Sequence, residues 1–176
     1  MTIEEIRKHL ETTSIFDLEL RVVFFIRIPA DSSNLPTPIG NQIGSLEDYI
    51  VQHPSWIYMG GHLDLGVYTS TSRVDNGFKR MINAAEAGKF DLIITQNISD
   101  FGINTLESIR YAQRLLKSGV GVYFLEEGIC SLDEDSDLQL NIMAEIAQDK
   151  LRSLTSRVRF GHKEYFDQKA IQKLFS

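Results

Sequence analysis

The chain has 176 residues, 43% of them hydrophobic, and a formal net charge of −6. That length suits one domain with a sizeable core rather than two, and no apolar run approaches the roughly 20 residues that a membrane-spanning helix needs. The single cysteine, Cys130, excludes an intramolecular disulfide and a cysteine-built metal site, and reads as a small packed side chain.

The charge is uneven along the chain. Residues 1–147 hold 11 Lys/Arg against 21 Asp/Glu, whereas residues 148–176 hold 7 against 3. Phosphate binding draws on Lys and Arg, so the acidic body repels nucleic acid and the basic end is the expected contact. The N-terminus, MTIEEIRKHLETTS, lacks the apolar core of a signal peptide, and the expected location is cytoplasmic.

Short apolar runs alternate with segments of helical period, the pattern of a parallel sheet covered by helices. The first strand is expected at 21–28, where VVFFI leads to a lone Arg27 and then Pro29. After a Ser/Pro/Gly-rich loop, ADSSNLPTPIG, a helix over 41–53 carries Ile43, Leu46 and Ile50 and ends at Pro54. A second strand near 56–63 gives way to a polar loop, DLGVYTSTSRVDNG, and a helix over about 78–87 closes at Gly88. FDLIITQ reads as the third strand, 105–117 as a helix stopped by Gly119, and GVGVYFLEE as the fourth strand. CSLDEDSD then offers helix-capping residues. From about 137 a long helix repeats Leu138, Ile142, Met143, Ile146, Leu151, Leu154 and Val158 at spacings of mostly three and four. That stripe suits either core packing or a face for another chain.

The expected fold is therefore three-layer α/β: a mostly parallel sheet of four or five strands, flanked by helices, with a long C-terminal helix. His53, His62 and His162 have no metal-ligand spacing. Asp133, Glu134, Asp135 and Asp137 lack the glycine and terminal glutamate of a calcium loop and read as capping or solvated acids. No metal and no cofactor is expected.

Several fragments, in order, resemble the catalytic domain of the serine recombinases, the resolvase/invertase family, and most of all the large serine recombinases of Gram-positive mobile elements. They are MTIEEIRKHL, the FIRI strand end, GNQIGSLEDYI, GFKRMINAAEAGKFDLIITQNIS, NTLESIRYAQRLLKSGVGVYF and SLDEDSDLQLNIMAEIAQDKLRSLTSRVRFGHK. The resemblance runs from residue 1 to about 166, with an oligomerisation helix at about 137–165 and a short tail at 167–176. It implies a fold that presents a nucleophilic serine at a strand end. That hydroxyl attacks a DNA phosphodiester to form a 5′-phosphoserine, needs activation, and works among arginines that neutralise the phosphoryl oxygens.

Carried over residue by residue, that chemistry is missing. The strand-end pattern aromatic-x-Arg-x-Ser reads here Phe25, Ile26, Arg27, Ile28, Pro29, so the nucleophile position is a proline with no reactive atom. The arginine expected three residues before Phe78 is Asp75, and the two expected after the third strand are Asp100 and Ile103. Carboxylates there repel a phosphate, by on the order of 4 kcal/mol for two charges about 4 Å apart at an effective dielectric of 20. Arg27 and Gln42 stay at family positions, and Arg27 is expected to pair with Asp75 or Asp100. Arg152, Arg157, Arg159 and Lys163 form a basic flank that either runs towards DNA, as in the family, or is a solvated helix face.

The expectation is a catalytically incompetent recombinase domain that associates with itself or with an active serine recombinase and binds DNA weakly or not at all. Large relatives continue into DNA-binding modules, whereas only residues 167–176 follow FGHKEYF. The alternatives are an active recombinase using Ser32 or Ser33, a decayed mobile-element remnant, or a module that binds a ligand in the acidic strand-end pocket.

Overall fold

The computed structural model describes residues 1–29, 36–66 and 77–174, with the side chains of 29, 36–38, 65–66 and 158–174 left undescribed. Asp75, Ser32 and Ser33 lie outside the described residues. The chain opens with α1 (Ile3–Leu10) and a 3-10 turn (Ile15–Asp17). It continues through β1 (Leu20–Pro29), α2 (Pro36–Val51), β2 (Trp56–Gly66), α3 (Gly77–Glu86), β3 (Leu92–Thr95), α4 (Ile98–Phe101), α5 (Thr105–Lys117), β4 (Gly121–Phe124), β5 (Ile129–Cys130) and α6 (Ser136–Leu174).

The strands form one sheet in the order β2-β1-β3-β4-β5, parallel throughout except for antiparallel β5. Alternation along β1 sends Val22, Phe24, Ile26 and Ile28 into one apolar layer with Ile6, Leu46, Ile50 and Leu132. Val23 and Phe25 enter the other layer, with Phe78, Met81, Phe101, Ile109 and Leu140. The period-two alternation of a strand therefore carries Arg27 to the second face, in line with Val23 and Phe25.

The α/β architecture is the one expected, with several differences. A helix at α1 was not anticipated, although its signal is in the sequence: Thr2 Oγ1 accepts from Glu5 N–H at 3.3 Å while the Glu5 carboxylate accepts from Thr2 N–H at 2.7 Å, a capping box. α2 begins at Pro36, inside the segment expected as loop, where proline suits the first helical turn. β2 runs on to Gly66 and so includes Asp64, where the polar run DLGVYTSTSRVDNG predicts a loop. The long helix reaches Leu174, so the boundary expected at 166 falls within it. Gly88 and Gly119 end their helices with φ of 72° and 88°, as expected of glycine beyond a helix C-terminus.

Candidate functional site

In parallel α/β sheets the functional edge lies where strands end at their carboxyl termini. Here that edge is formed by the ends of β1 and β2 and the turn from β3 into α4. Arg27 stands opposite Asp64 in the β1–β2 register, and its Nη1 lies 3.0 Å from Asp64 Oδ2. Side-chain exposure is 11% for Arg27 and 1% for Asp64, so the pair is internal. Arg27 Nε donates to the Asp100 carbonyl at 3.2 Å and Nη2 to the Phe101 carbonyl at 2.9 Å. Its guanidinium also lies 5.2 Å from the Phe78 ring centre and 5.7 Å from that of Phe25, within cation–π range.

The expected pairing of Arg27 with the Asp100 carboxylate is corrected by this geometry. Asp100 contributes its backbone carbonyl, and its exposed carboxylate accepts from Asn97 Nδ2 at 2.9 Å. The physical reason is local: Asn97 caps α4, its Oδ1 accepting from Asp100 N–H at 2.9 Å, which holds the Asp100 side chain back over the cap. Sequence reasoning missed Asp64. The available signal was an arginine on an apolar strand, which needs an acid on the neighbouring strand.

The turn after β3 is tied down by the protein's own groups. The Glu127 carboxylate accepts from Ile98 N–H at 3.1 Å, Ser108 Oγ from Gly102 N–H at 2.6 Å, and Glu107 from Ile103 N–H at 2.7 Å. The Ile103 side chain is exposed. Gln42 lies exposed on α2, and Pro29 ends β1 opposite Gly66. No group of three or more His, Cys, Asp or Glu that could hold a metal occurs among the described residues.

Other candidates lie away from this edge. His53 stacks on Phe16 at 4.6 Å and contacts Trp56 at 4.5 Å, and burial lowers its pKa. His62 is lowered by burial and then by Arg80. Cys130 is half-buried as a residue, with its thiol enclosed, and burial pushes that thiol up to about 12. A cavity of about 260 Å³ opens at the opposite, amino end of the strands, between Met1, Leu20, Arg21, Ile57 and Asp91. Burial alone would raise the Asp91 carboxyl there, but hydrogen bonds and charge from Arg21 bring it below its ordinary value.

The expected apolar stripe on α6 divides in two. At about 100° per residue, Leu140, Met143, Ala144 and Ala147 share one face, on which Leu140 is buried and Met143 and Ala144 pack against the core. Leu151 and Leu154 continue that face beyond the body and are exposed, while Leu138, Ile142 and Ile146 form a second exposed face on roughly the opposite side. Arg152 and Arg157 are exposed as well; the side chains of Val158, Arg159 and Lys163 lie outside the described residues.

The family model described as "Resolvase, N terminal domain" matches residues 22–170. The chain belongs to the resolvase family. Its fold is similar to that of the N-terminal catalytic domain of TP901-1 integrase, 20% identical with a TM-score of 0.58, over 76% of this chain and 98% of that one. It is also similar to a resolvase family site-specific recombinase from Streptococcus pneumoniae, 19% identical with a TM-score of 0.60, over 82% and 99% of the two chains. No curated protein matches. In this resolvase-family domain no described helix is long and apolar enough to cross a membrane.

Proposed function

We propose that this resolvase-family domain does not cut DNA, and that it acts in site-specific recombination by associating through α6 with itself or with an active serine recombinase. The observation that carries the reading is the internal Arg27–Asp64 pair. Arg27 is the one arginine kept at the family's strand-end motif, and among the described residues it forms an ion pair with Asp64 and donates to two backbone carbonyls. Recruiting it to a phosphate would leave Asp64, 1% exposed, as a buried charge without its counter-ion, a cost of several kcal/mol.

The rest of the motif supports the same reading. Pro29 at the nucleophile position has no attacking atom, and Asp75, Asp100 and Ile103 replace the arginines that would neutralise the phosphate. Against that, the exposed apolar residues of α6 are what an assembling helix offers: Leu138 is 68% exposed, Ile142 and Ile146 51%, and Leu154 56%. Fully burying such a side chain from full exposure is worth roughly 1.5–3 kcal/mol, and these side chains have about half to two-thirds of that still to gain. Arg152 and Arg157 supply at most a weak electrostatic contact with DNA from this chain alone.

The test is light scattering of the chain, alone and mixed with an active large serine recombinase, beside a recombination assay on that enzyme's substrate. The expected result is a concentration-dependent oligomer, a mixed species and an altered recombination rate, with Ile142→Asp abolishing association while leaving the fold intact. A chain that stays monomeric in both settings and leaves recombination unchanged would overturn the reading.

A further inference from the structure

α1 precedes the residues matched by the family model, which begin at 22, yet it is built into the base of α6. Arg7, in the last turn of α1, grips Asp137 in the first turn of α6 with two parallel hydrogen bonds, Nη1 to Oδ2 at 3.0 Å and Nη2 to Oδ1 at 2.8 Å. The same guanidinium donates from Nε to the Leu132 carbonyl at 3.2 Å and from Nη2 to the Ser131 carbonyl at 3.3 Å. One side chain thus holds both the turn that leads into α6 and the first turn of the helix. Such bidentate, charge-assisted geometry is the strong and directional kind.

The anchorage of Arg7 is itself firm. Ile6, its neighbour, is 1% exposed in the layer that contains Leu20 and Leu132, so α1 is fixed to the sheet. The other holds on the base of α6 come from a different side. β5, which delivers the chain to it, is two residues long. Among the described residues its other ties are the buried Leu140, Met143 and Ala144 packed against the same core, a hydrogen bond from Ser136 Oγ to the Asp133 carbonyl at 2.7 Å, and one from Gln113 Nε2 on α5 to Asn141 Oδ1 at 2.9 Å. α5 therefore holds the helix from the layer that contains Leu140, while α1 reaches it from the layer on the other face of the sheet.

We propose that α1 is a latch on α6: through Arg7 it sets the direction in which the helix leaves the body, so a segment outside the family match controls how the exposed α6 faces are presented. Only the second half rests on the association reading above. The latch itself is a property of the isolated chain.

The full chain is labelled at Lys89→Cys on the body and Ser156→Cys on α6, both exposed positions, in a Cys130→Ala background. Single-molecule energy transfer at sub-nanomolar concentration then reads the direction of α6 without association. One narrow transfer peak is expected for Arg7, a broadened or split peak for Arg7→Ala and Asp137→Asn, and an intermediate peak for Arg7→Lys, which keeps the charge and loses the fork. Arg7→Lys and Asp137→Asn keep the test decisive if Arg7→Ala does not fold. An unchanged narrow peak in these variants overturns the latch. In light scattering, release of the latch should shift the concentration for half-association by about tenfold, the equivalent of about 1.4 kcal/mol. A chain that never associates overturns the association reading and leaves the energy-transfer result to decide the latch.

Discussion

Arg27 and Asp64 face each other across the β1–β2 ladder with 3.0 Å between Nη1 and Oδ2, almost entirely out of water. Removing one partner leaves the other as a buried charge, whereas removing both together leaves apolar surroundings that include Phe25 and Phe78. Asp64→Asn is expected to lower unfolding free energy by about 3–5 kcal/mol, and the double variant Arg27→Met/Asp64→Leu to recover most of that loss. Urea denaturation of the three proteins measures it; equal losses in single and double variants would contradict the pairing.

The same pair predicts how the site responds to repair. Pro29→Ser restores a hydroxyl at the end of β1 but leaves Arg27 bound to Asp64 and leaves Asp75, Asp100 and Ile103 in place. No covalent protein–DNA adduct is expected from that variant on a nicked suicide substrate, because an unactivated serine is a weak nucleophile. An adduct seen with Pro29→Ser alone would show that the arginine cluster is dispensable here.

Gly77, the first residue of α3, lies against the backbone of β2. A Cβ at this position would run into the backbone carbonyl of Leu63, which belongs to a paired strand and cannot yield as a flexible side chain would. Gly77→Ala is expected to destabilise the fold by about 1–3 kcal/mol or somewhat more. Gly44, on α2 with open space around it, is the control: Gly44→Ala should be neutral or stabilising by up to about 1 kcal/mol. Thermal unfolding of both separates backbone contact from helix propensity.

Acidification should weaken the fold in two stages. His53 and His62 have folded pKa values below their ordinary 6.5, so as pH falls below that value the unfolded chain takes up protons that the folded chain refuses. Stability therefore drops through this window and levels off below the folded values. Asp91, lowered from 3.8, adds stability that is present above that value and is lost only as pH falls further, through its folded pKa. Urea midpoints between about pH 7.5 and about pH 5.5 should fall in the parent protein and fall less in His53→Phe, which keeps the ring stack with Phe16 and Trp56. An identical slope in that variant would remove His53 from the account.

Much of the fold was legible because its signals are local. Apolar runs bounded by proline or glycine locate β1, β3, β4 and α5, and the spacing of apolar residues reveals a helix too long for the body it leaves. The resemblance of ordered fragments reached the family that the match over 22–170 supports. Chain chemistry also accounts for Pro29, whose lack of a nucleophilic atom needs no coordinates.

What only the tertiary structure decided is pairing between distant segments. Family positions point from Arg27 to Asp75, which lies outside the described residues, and to Asp100, whereas strand register, a non-local property, brings Asp64 opposite it. The role of Asp137 likewise came from α1, 130 residues earlier. The single stripe read on α6 became two faces for the same reason: period shows which residues align along a helix, while the packing of α5 determines which of them water can reach.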